Sequence, residues 1–455
     1  MRHWTSWNGN IRHGYTEWVE PDSELGLAAT VAAAERVRVV GAGFSSADIV
    51  GGPSTLISLS ATYADVVSVD QPHRRVTVQA GMTVARLMEI LTERGWSLPA
   101  LPDIDAVTVG GALSTGTHGT GRDAHLLSGY VVAMRVVLAD GTVRTVSDAA
   151  ELEAFRLGLG VLGVTSTVTF QAEPAYEVQV HGAPVRDAVW LRRWESWLRE
   201  HEFLRILWLP HTGYGFVYRG DRVTVPSPGV TVQPPPWTRH RRQASALAYR
   251  ATTYLPAATP LANRLLYSLF FAHRVASRGS LYDATVTKSR SSTMELAEWS
   301  VDRAAFPDAL TQMRTALHSW STPHVAHLPM DVRFLSRDTT WLSYAYDRDA
   351  VTVGLVCRVA DAAARYSSFD LMQRVFTGLD GRPHWAKRHT WGPAECAQGW
   401  PRFDDFRRLR KQLDPQGKLL NDYLARLLPS GALPERRPAV PTQRRRRGAT
   451  LAPTG

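Results

Sequence analysis

Cysteine is nearly missing from this chain of 455 residues, which has only Cys357 and Cys396. Two cysteines build neither a disulfide framework nor a zinc site, and no metal centre is expected. A reducing, cytoplasmic setting is expected. Long apolar runs are missing as well. The nearest approach, around Leu265 to Val275, is short and broken by His273 and Arg274, which argues against a membrane-spanning helix. Met1 to Glu20 carries Trp, Asn, His and Arg without an apolar stretch, so no secretory leader is expected. Acidic residues fall short of basic ones, and the formal net charge is +10. Part of that excess lies in Arg436, Arg437 and Arg444 to Arg447, set among Pro, Gly and Thr. Residues 429–455 therefore read as a disordered basic tail that cannot bury enough apolar surface to fold alone. Peripheral membrane contact through that tail is the alternative. A nucleic-acid partner has no motif support beyond the tail.

What is present is ordinary globular composition, 44% hydrophobic and 21% charged, on a chain long enough for two or three domains. The first 175 residues alternate helix and strand. Asp22 or Ser23 can cap a helix running through Leu25 to Ala34, followed by a short buried strand at Val37 to Val40. Arg75 to Ala80 alternates like a half-buried strand. Thr83 to Arg94 has helical spacing and stops at Gly95. Asp140-Gly141 between Val131–Leu138 and Thr142–Val146 predicts a hairpin, and Thr165 to Ala172 predicts another strand. From about Tyr176 the texture changes to a second α+β region. It has a Pro-rich loop over Val225 to Trp237 and helices at Trp190–His201 and Arg303–Ser319. Its strands are expected at His324–Phe334, Trp341–Tyr346 and Val351–Val359. Trp385 to Leu428 reads as helical.

The most informative stretch runs from Val107 to Gly121. Five glycines fall within residues 110–121, interleaved with Ser and Thr. Little side chain remains there to pack, so backbone N–H and hydroxyl donors are left to converge on an anion such as a pyrophosphate. A second glycine loop, Gly41-Ala42-Gly43-Phe44-Ser45-Ser46, directly follows a strand. It lacks the third glycine of a dinucleotide fingerprint, since Ser46 stands there. Asp48 to Pro53 then breaks any helix, so a nicotinamide site of that type is disfavoured. Two glycine loops about seventy residues apart suit a cofactor held between two subdomains.

Val39 to Ser46 and Gly116-Thr117-His118-Gly119-Thr120-Gly121 resemble the FAD-binding domain of vanillyl-alcohol oxidase-type flavoenzymes. The sugar-1,4-lactone oxidase and alditol oxidase branch is the nearer match. Trp4 to Asn10, Leu162 to Ser166, Trp341 to Ser343 with Tyr346, Arg382 to Lys387 and Leu413 to Lys418 are similar to that branch in the same order. The section around Val225 to Ser300 matches least. The resemblance implies an α+β fold: a two-subdomain FAD-binding domain over residues 1–175 and a substrate (cap) domain over 176–384. Residues 385–428 would return to the FAD domain and active site. It implies FAD held by Gly41, Ala42, Gly43, Phe44, Ser45, Ser46, Asp103, Thr108, Gly110, Gly111, Ser114, Gly116, Thr117, His118, Gly119 and Val164. It implies oxidation of a hydroxyl carbon of a sugar lactone or polyol-like substrate, with electrons passing to oxygen or another acceptor. A dehydrogenase, a tailoring oxidase acting on a glycoside or natural product, and a non-catalytic flavin-binding protein are the competing readings.

Four departures from the family pattern matter. Phe44 stands where many members carry a histidine bonded covalently to flavin, so dissociable FAD is expected. Asp331-Val332-Arg333 replaces Glu-x-Arg, with both charged residues on one face of a strand. Gly354 stands where alditol oxidases carry a substrate-binding histidine, which speaks against a simple alditol. Pro102 and Asp103 replace small residues of alditol oxidases. The resemblance places Lys387 by the flavin, where a fixed cation offsets the charge of reduction. A second cation nearby would favour the neutral amine, which could then take the hydroxyl proton. Arg333 would grip substrate oxygens, and Asp331 would orient Arg333. His324 and His327 are candidates to line the pocket.

Overall fold

Ser23 starts the first helix. Its hydroxyl accepts from the Gly26 N–H at the head of Glu24–Ala33, and Leu27 and Val31, one turn apart, are buried. The computed structural model describes residues 2–52, 54–223, 229–285, 294–318, 326, 327, 329–358 and 362–431. In it, this helix shares an apolar cluster with two sheets through Val37, Ile57, Val137 and Val164. The first is a parallel sheet of Glu17–Val19, Thr55–Ser58 and Val37–Val40, with Thr55–Ser58 in the middle. The second is antiparallel and runs in the order Val143–Val146, Val131–Val137, Val164–Gln171, Arg75–Gln79, Val66–Asp70. Its first pair is the expected hairpin, with the Asp140 carboxylate accepting from the Thr142 N–H at 2.9 Å.

The region after residue 176 is built on one eight-stranded antiparallel sheet. Its order is Val275–Ser280, Glu177–Arg186, Tyr214–Arg222, Phe203–Leu209, Met330–Leu335, Ala350–Arg358, Met294–Asp302, Arg382–Pro383. The period of two divides its faces. Phe334 meets Trp194 of the helix Asp187–Glu200 at 5.5 Å, and Phe306 of the helix Phe306–His318 meets the same ring at 5.3 Å. Asp331 and Arg333, on alternate positions of the Phe334 strand, face the other way.

The last helices are Pro393–Gly399, Phe403–Leu413 and Asp422–Leu427, and the turn before the third is tied by hydrogen bonds to the first helix and to the loop after Val37–Val40. Lys418 Nζ donates to the carbonyls of Val31 and Ala32 at 3.0 and 2.9 Å, and the Asn421 amide donates to Asp48 O at 2.8 Å. Among the described residues, no helix is long and apolar enough to cross a membrane.

Three expectations need correction. Residues Trp341–Tyr346 form turns rather than a strand. The Asp338 carboxylate captures the Thr340 N–H and the Ser343 hydroxyl, at 3.0 and 2.7 Å, and so diverts the backbone from a ladder. Residues 385–392 are not helical, because N–H groups there are engaged elsewhere: Arg388 N–H donates to Leu296 O and Thr390 N–H to the Gln373 side-chain carbonyl. The strand expected from His324 starts at Met330; residues 319–325, His324 included, lie outside the described residues. The tail from residue 432 onward also lies outside them.

Candidate functional site

The two glycine loops meet. Residues 41–45 and a row from Thr108 to His118 line one cavity, together with Ala80, Gly81, Gly163, Val164, Ala386 and Lys387. Thr108 caps the short helix Val109–Ser114, its hydroxyl accepting from the Gly111 N–H. Gly41 is seated on that hydroxyl: a Cβ on Gly41 would stand 2.4 Å from Thr108 Oγ1. The main chain there is thus closer to Thr108 than any side chain would allow. The N–H groups of Ala42, Gly43 and Phe44 donate to no backbone carbonyl among the described residues. Such bare donors around a concave wall fit a diphosphate. Phe44 also lines the cavity, with its ring stacked on Trp7 at 4.6 Å.

A second cavity of about 360 Å³ adjoins the first, the two sharing Asp103, Leu296, Glu298 and Arg333. Its wall is mostly apolar: Val180, Phe203, Leu207, Tyr218 and Met294 among others. One side carries a ring of alternating charges. Arg205 donates to Asp103 at 2.9 and 3.1 Å and to Asp331 at 2.9 and 2.8 Å. Arg333 donates to Asp331 at 2.8 and 2.6 Å and lies 3.5 Å from Asp103. The antiparallel register explains the meeting, since Arg205 is directly opposite Arg333 on the neighbouring strand. Burial alone would raise the carboxyl of Asp331, but Arg205 and Arg333 hold it far below the usual carboxylate range. On the other side of Asp331 the register reads Asp331, Gly354, Glu298 across three strands. Gly354 contributes no side chain to this row, which opens the floor of the cavity between the two acids.

Glu298 is the third acid of the site and is buried. Its Oε1 lies 3.0 Å from His118 Nε2, while His118 Nδ1 lies 2.9 Å from Gly119 O. A carbonyl can only accept, so Nδ1 carries a proton. Nε2 faces the Glu298 carboxylate. Burial would raise Glu298, yet His118 holds it well below the carboxylate range. His384 completes the group, with the three side chains offering polar atoms within 4.8 Å of one another. The Ala386 N–H donates to His384 Nδ1 at 3.1 Å, leaving the proton of the neutral ring on Nε2. Burial keeps that ring well below the usual imidazole range, against the pull of Glu298.

Lys387 follows from the same turn. The His384 N–H donates to Glu298 O and the Arg388 N–H to Leu296 O, while the Ser46 N–H donates to Ala386 O at 2.7 Å. The lysine is therefore pinned between the first glycine loop and the large sheet, and it lines the first cavity with Arg333.

The structure brings together Gly41 to Ser45, Asp103, Thr108, Gly110, Gly111, Ser114, Thr117, His118, Val164, Arg333 and Lys387 around the first cavity. Asp331 lies in the second. Ser46, Gly116 and Gly119 are not among the lining residues. Ser46 is buried and spends its N–H on Ala386. A Cβ on Gly116 would stand 2.3 Å from Tyr344 Oη, and one on Gly119 2.4 Å from Leu101 O, so both serve close packing behind the wall. His327 is buried against Tyr249, ring to ring at 4.0 Å, and lines neither cavity. Arg205, Glu298 and His384 were not singled out by sequence reasoning. An acid or arginine at an inward position of an alternating strand was the available signal. Arg38 was missed too; its guanidinium donates to the carbonyls of Ile49, Leu159, Gly160 and Leu419, tying the strand after the first helix to the cavity's far side.

A bare-backbone cradle joined to a charged cavity on an antiparallel sheet defines a flavin-linked oxidoreductase. Residues 168–427 match the D-arabinono-1,4-lactone oxidase family and residues 17–147 match the FAD binding domain; the chain belongs to that oxidase family and is an FAD-dependent enzyme. It is 30% identical over 437 residues to an L-gulono-1,4-lactone dehydrogenase of Mycobacterium tuberculosis, covering 93% of this chain and 99% of that one. It is 29% identical to the L-gulonolactone oxidase of Bos taurus, with 86% and 90% covered. It is 27% identical to an alditol oxidase of a Streptomyces species, with 93% and 98% covered. Among solved structures, a solvent-stable cholesterol oxidase has the same fold, with a TM-score of 0.76 at 15% identity over 93% of this chain and 97% of that one.

Proposed function

We propose that this enzyme oxidises a hydroxyl-bearing carbon of a sugar lactone or polyol-like substrate and holds FAD without a covalent link. One observation carries the reading: Lys387 and Arg333, from separate elements, line the same cavity as the two glycine loops. Bound FAD supplies the hydride acceptor. Arg333 presents a planar fork to paired substrate oxygens. Asp331 positions that fork, and Arg205 positions Asp331. Lys387 sets a cation where negative charge gathers on hydride transfer. It becomes that cation by starting as a neutral amine and taking the hydroxyl proton as the hydride leaves. Phe44 offers no nucleophile to the flavin. Residues 1–175, with the returning segment 385–428, form the FAD-binding part in this reading, and 176–384 the substrate part. Oxygen or another small acceptor removes the electrons, and the buried thiols of Cys357 and Cys396 suit a reducing, cytoplasmic compartment.

The test is anaerobic mixing of the holoenzyme with aldonolactones, alditols and glycosides, following loss of the visible flavin absorbance. Bleaching by a lactone or polyol supports the reading. A flavin that no hydroxylated substrate reduces overturns it, in favour of a non-catalytic flavoprotein. Oxygen uptake compared with dye reduction then separates oxidase from dehydrogenase.

A further inference from the structure

From Arg222 to Tyr282 the sequence has eight arginines and no acidic residue. Most of it falls within Val225 to Ser300, where the sequence motifs of the family are fewest. The structure folds much of it into a helical hairpin, Arg241–Tyr254 and Thr259–Phe270. One side of the hairpin is fully engaged. Tyr249 and Leu266 pack with Leu207, Leu209, Phe216 and Phe271, and the Asn263 amide donates to Pro210 O and Ala326 O at 3.1 and 2.9 Å.

The other side is apolar and open. Leu261, Leu265 and Leu269 recur every four residues and are 70%, 56% and 42% exposed. On the partner helix Leu247 and Tyr254, two turns apart, are 73% and 84% exposed, and Leu255 beyond it is 60% exposed. Most of the large exposed apolar side chains among the described residues fall between Val230 and Leu269. Isolated exposed leucines need no explanation, but a contiguous stripe on a well-anchored hairpin does. Around it stand the exposed Arg239, Arg241, Arg242, Arg250, Arg264 and Arg274.

We infer that this hairpin is a docking face for an anionic lipid surface. Leucines and a tyrosine that enter the interface, ringed by arginines that meet lipid phosphates, form the amphipathic pattern of helices lying in the membrane plane. A second copy of this chain fits less well. A two-fold contact through this face would lay arginine against arginine, with no acid from 222 to 282 to offset them. Arg241 also lines the cavity that holds Asp331 and Arg333, so the docked face borders the substrate cavity.

The test is co-sedimentation of the full-length holoenzyme with large vesicles of phosphatidylcholine alone and of phosphatidylcholine with phosphatidylglycerol. Binding should require the anionic lipid and weaken with salt. A Leu261→Glu, Leu265→Glu double variant should lose binding about tenfold or more, with flavin content and melting temperature unchanged. A full chain with Arg444, Arg445, Arg446 and Arg447 replaced by Gln should still bind, because the tail is not the anchor. Three outcomes overturn the inference: no binding to anionic vesicles, binding lost only in the tail variant, or a concentration-dependent dimer that the Leu→Glu variant abolishes. None of these outcomes bears on the redox reading of the active site.

Discussion

Arg205 holds Asp331 through two hydrogen bonds, Nε at 2.9 Å and Nη2 at 2.8 Å, and Asp331 in turn holds Arg333. The side chains of all three are at most 16% exposed. Removing one member leaves an uncompensated buried charge, which costs about 3–5 kcal/mol. Arg205→Leu should therefore lower the melting temperature markedly and also reduce kcat/KM, because Arg333 loses its support. Arg205→Lys keeps the charge but loses the fork that spans Asp103 and Asp331, so its stability should be intermediate. Thermal unfolding and steady-state kinetics of the two variants check this. An unchanged melting temperature in Arg205→Leu would show that the ring contributes nothing to the fold.

That ring marks the limit of what the sequence disclosed. Glycine loops are legible because a missing side chain is a local fact, and so are Ser23 as a cap and Asp140-Gly141 as a turn. Lys387 and the Asp331–Arg333 pair were legible through motif and strand period. Arg205 and Glu298 were not, since each owes its place to strand register. Arg205 lies opposite Arg333 and Glu298 opposite Gly354 only after distant strands have paired. The turns at Trp341–Tyr346 were misread for a related reason. Alternating Leu342, Tyr344 and Tyr346 has a strand period, but the Asp338 carboxylate decides the backbone there, and its partners are spread over several residues.

Lys387 has a distinct signature. Lys387→Met should retain FAD, because the proposed reading gives the cofactor to the glycine loops and not to the lysine. Loss of a fixed cation at developing negative charge costs about 3–4 kcal/mol, which is a fall of roughly a hundredfold or more in flavin reduction rate. Stopped-flow reduction under anaerobic conditions reads this directly. A rate within a fewfold of the parent would remove Lys387 from the mechanism.

Phe44 makes a prediction about the cofactor bond. Its ring is stacked on Trp7 and lines the cavity, and it carries no nucleophile. Acid precipitation of the holoenzyme should leave the yellow colour in the supernatant. Flavin retained in the washed pellet would mean that another side chain forms the link.

Stability should fall on acidification, and the sign follows from three histidines. His389 and His211 are each lowered to about 4, by burial first and then by Arg388 for the one and by His318 and Arg264 for the other. His384 is lowered in the same sense. A group with a depressed folded value takes its proton first in the unfolded chain. Each ring therefore contributes stability above about pH 6.5 that is lost as the pH falls towards 4. Asp338 acts the other way, because burial raises its carboxyl to about 6. Between about pH 6 and pH 4 it favours the fold as acid is added, but one carboxyl stands against these three histidines and His125, which burial also lowers. The melting temperature should thus decline from about pH 7 to pH 4.5, and the decline should be steeper in Asp338→Asn, which lacks the opposing group. A melting temperature that rises over this interval would mean that the three rings are accessible to protons in the folded enzyme.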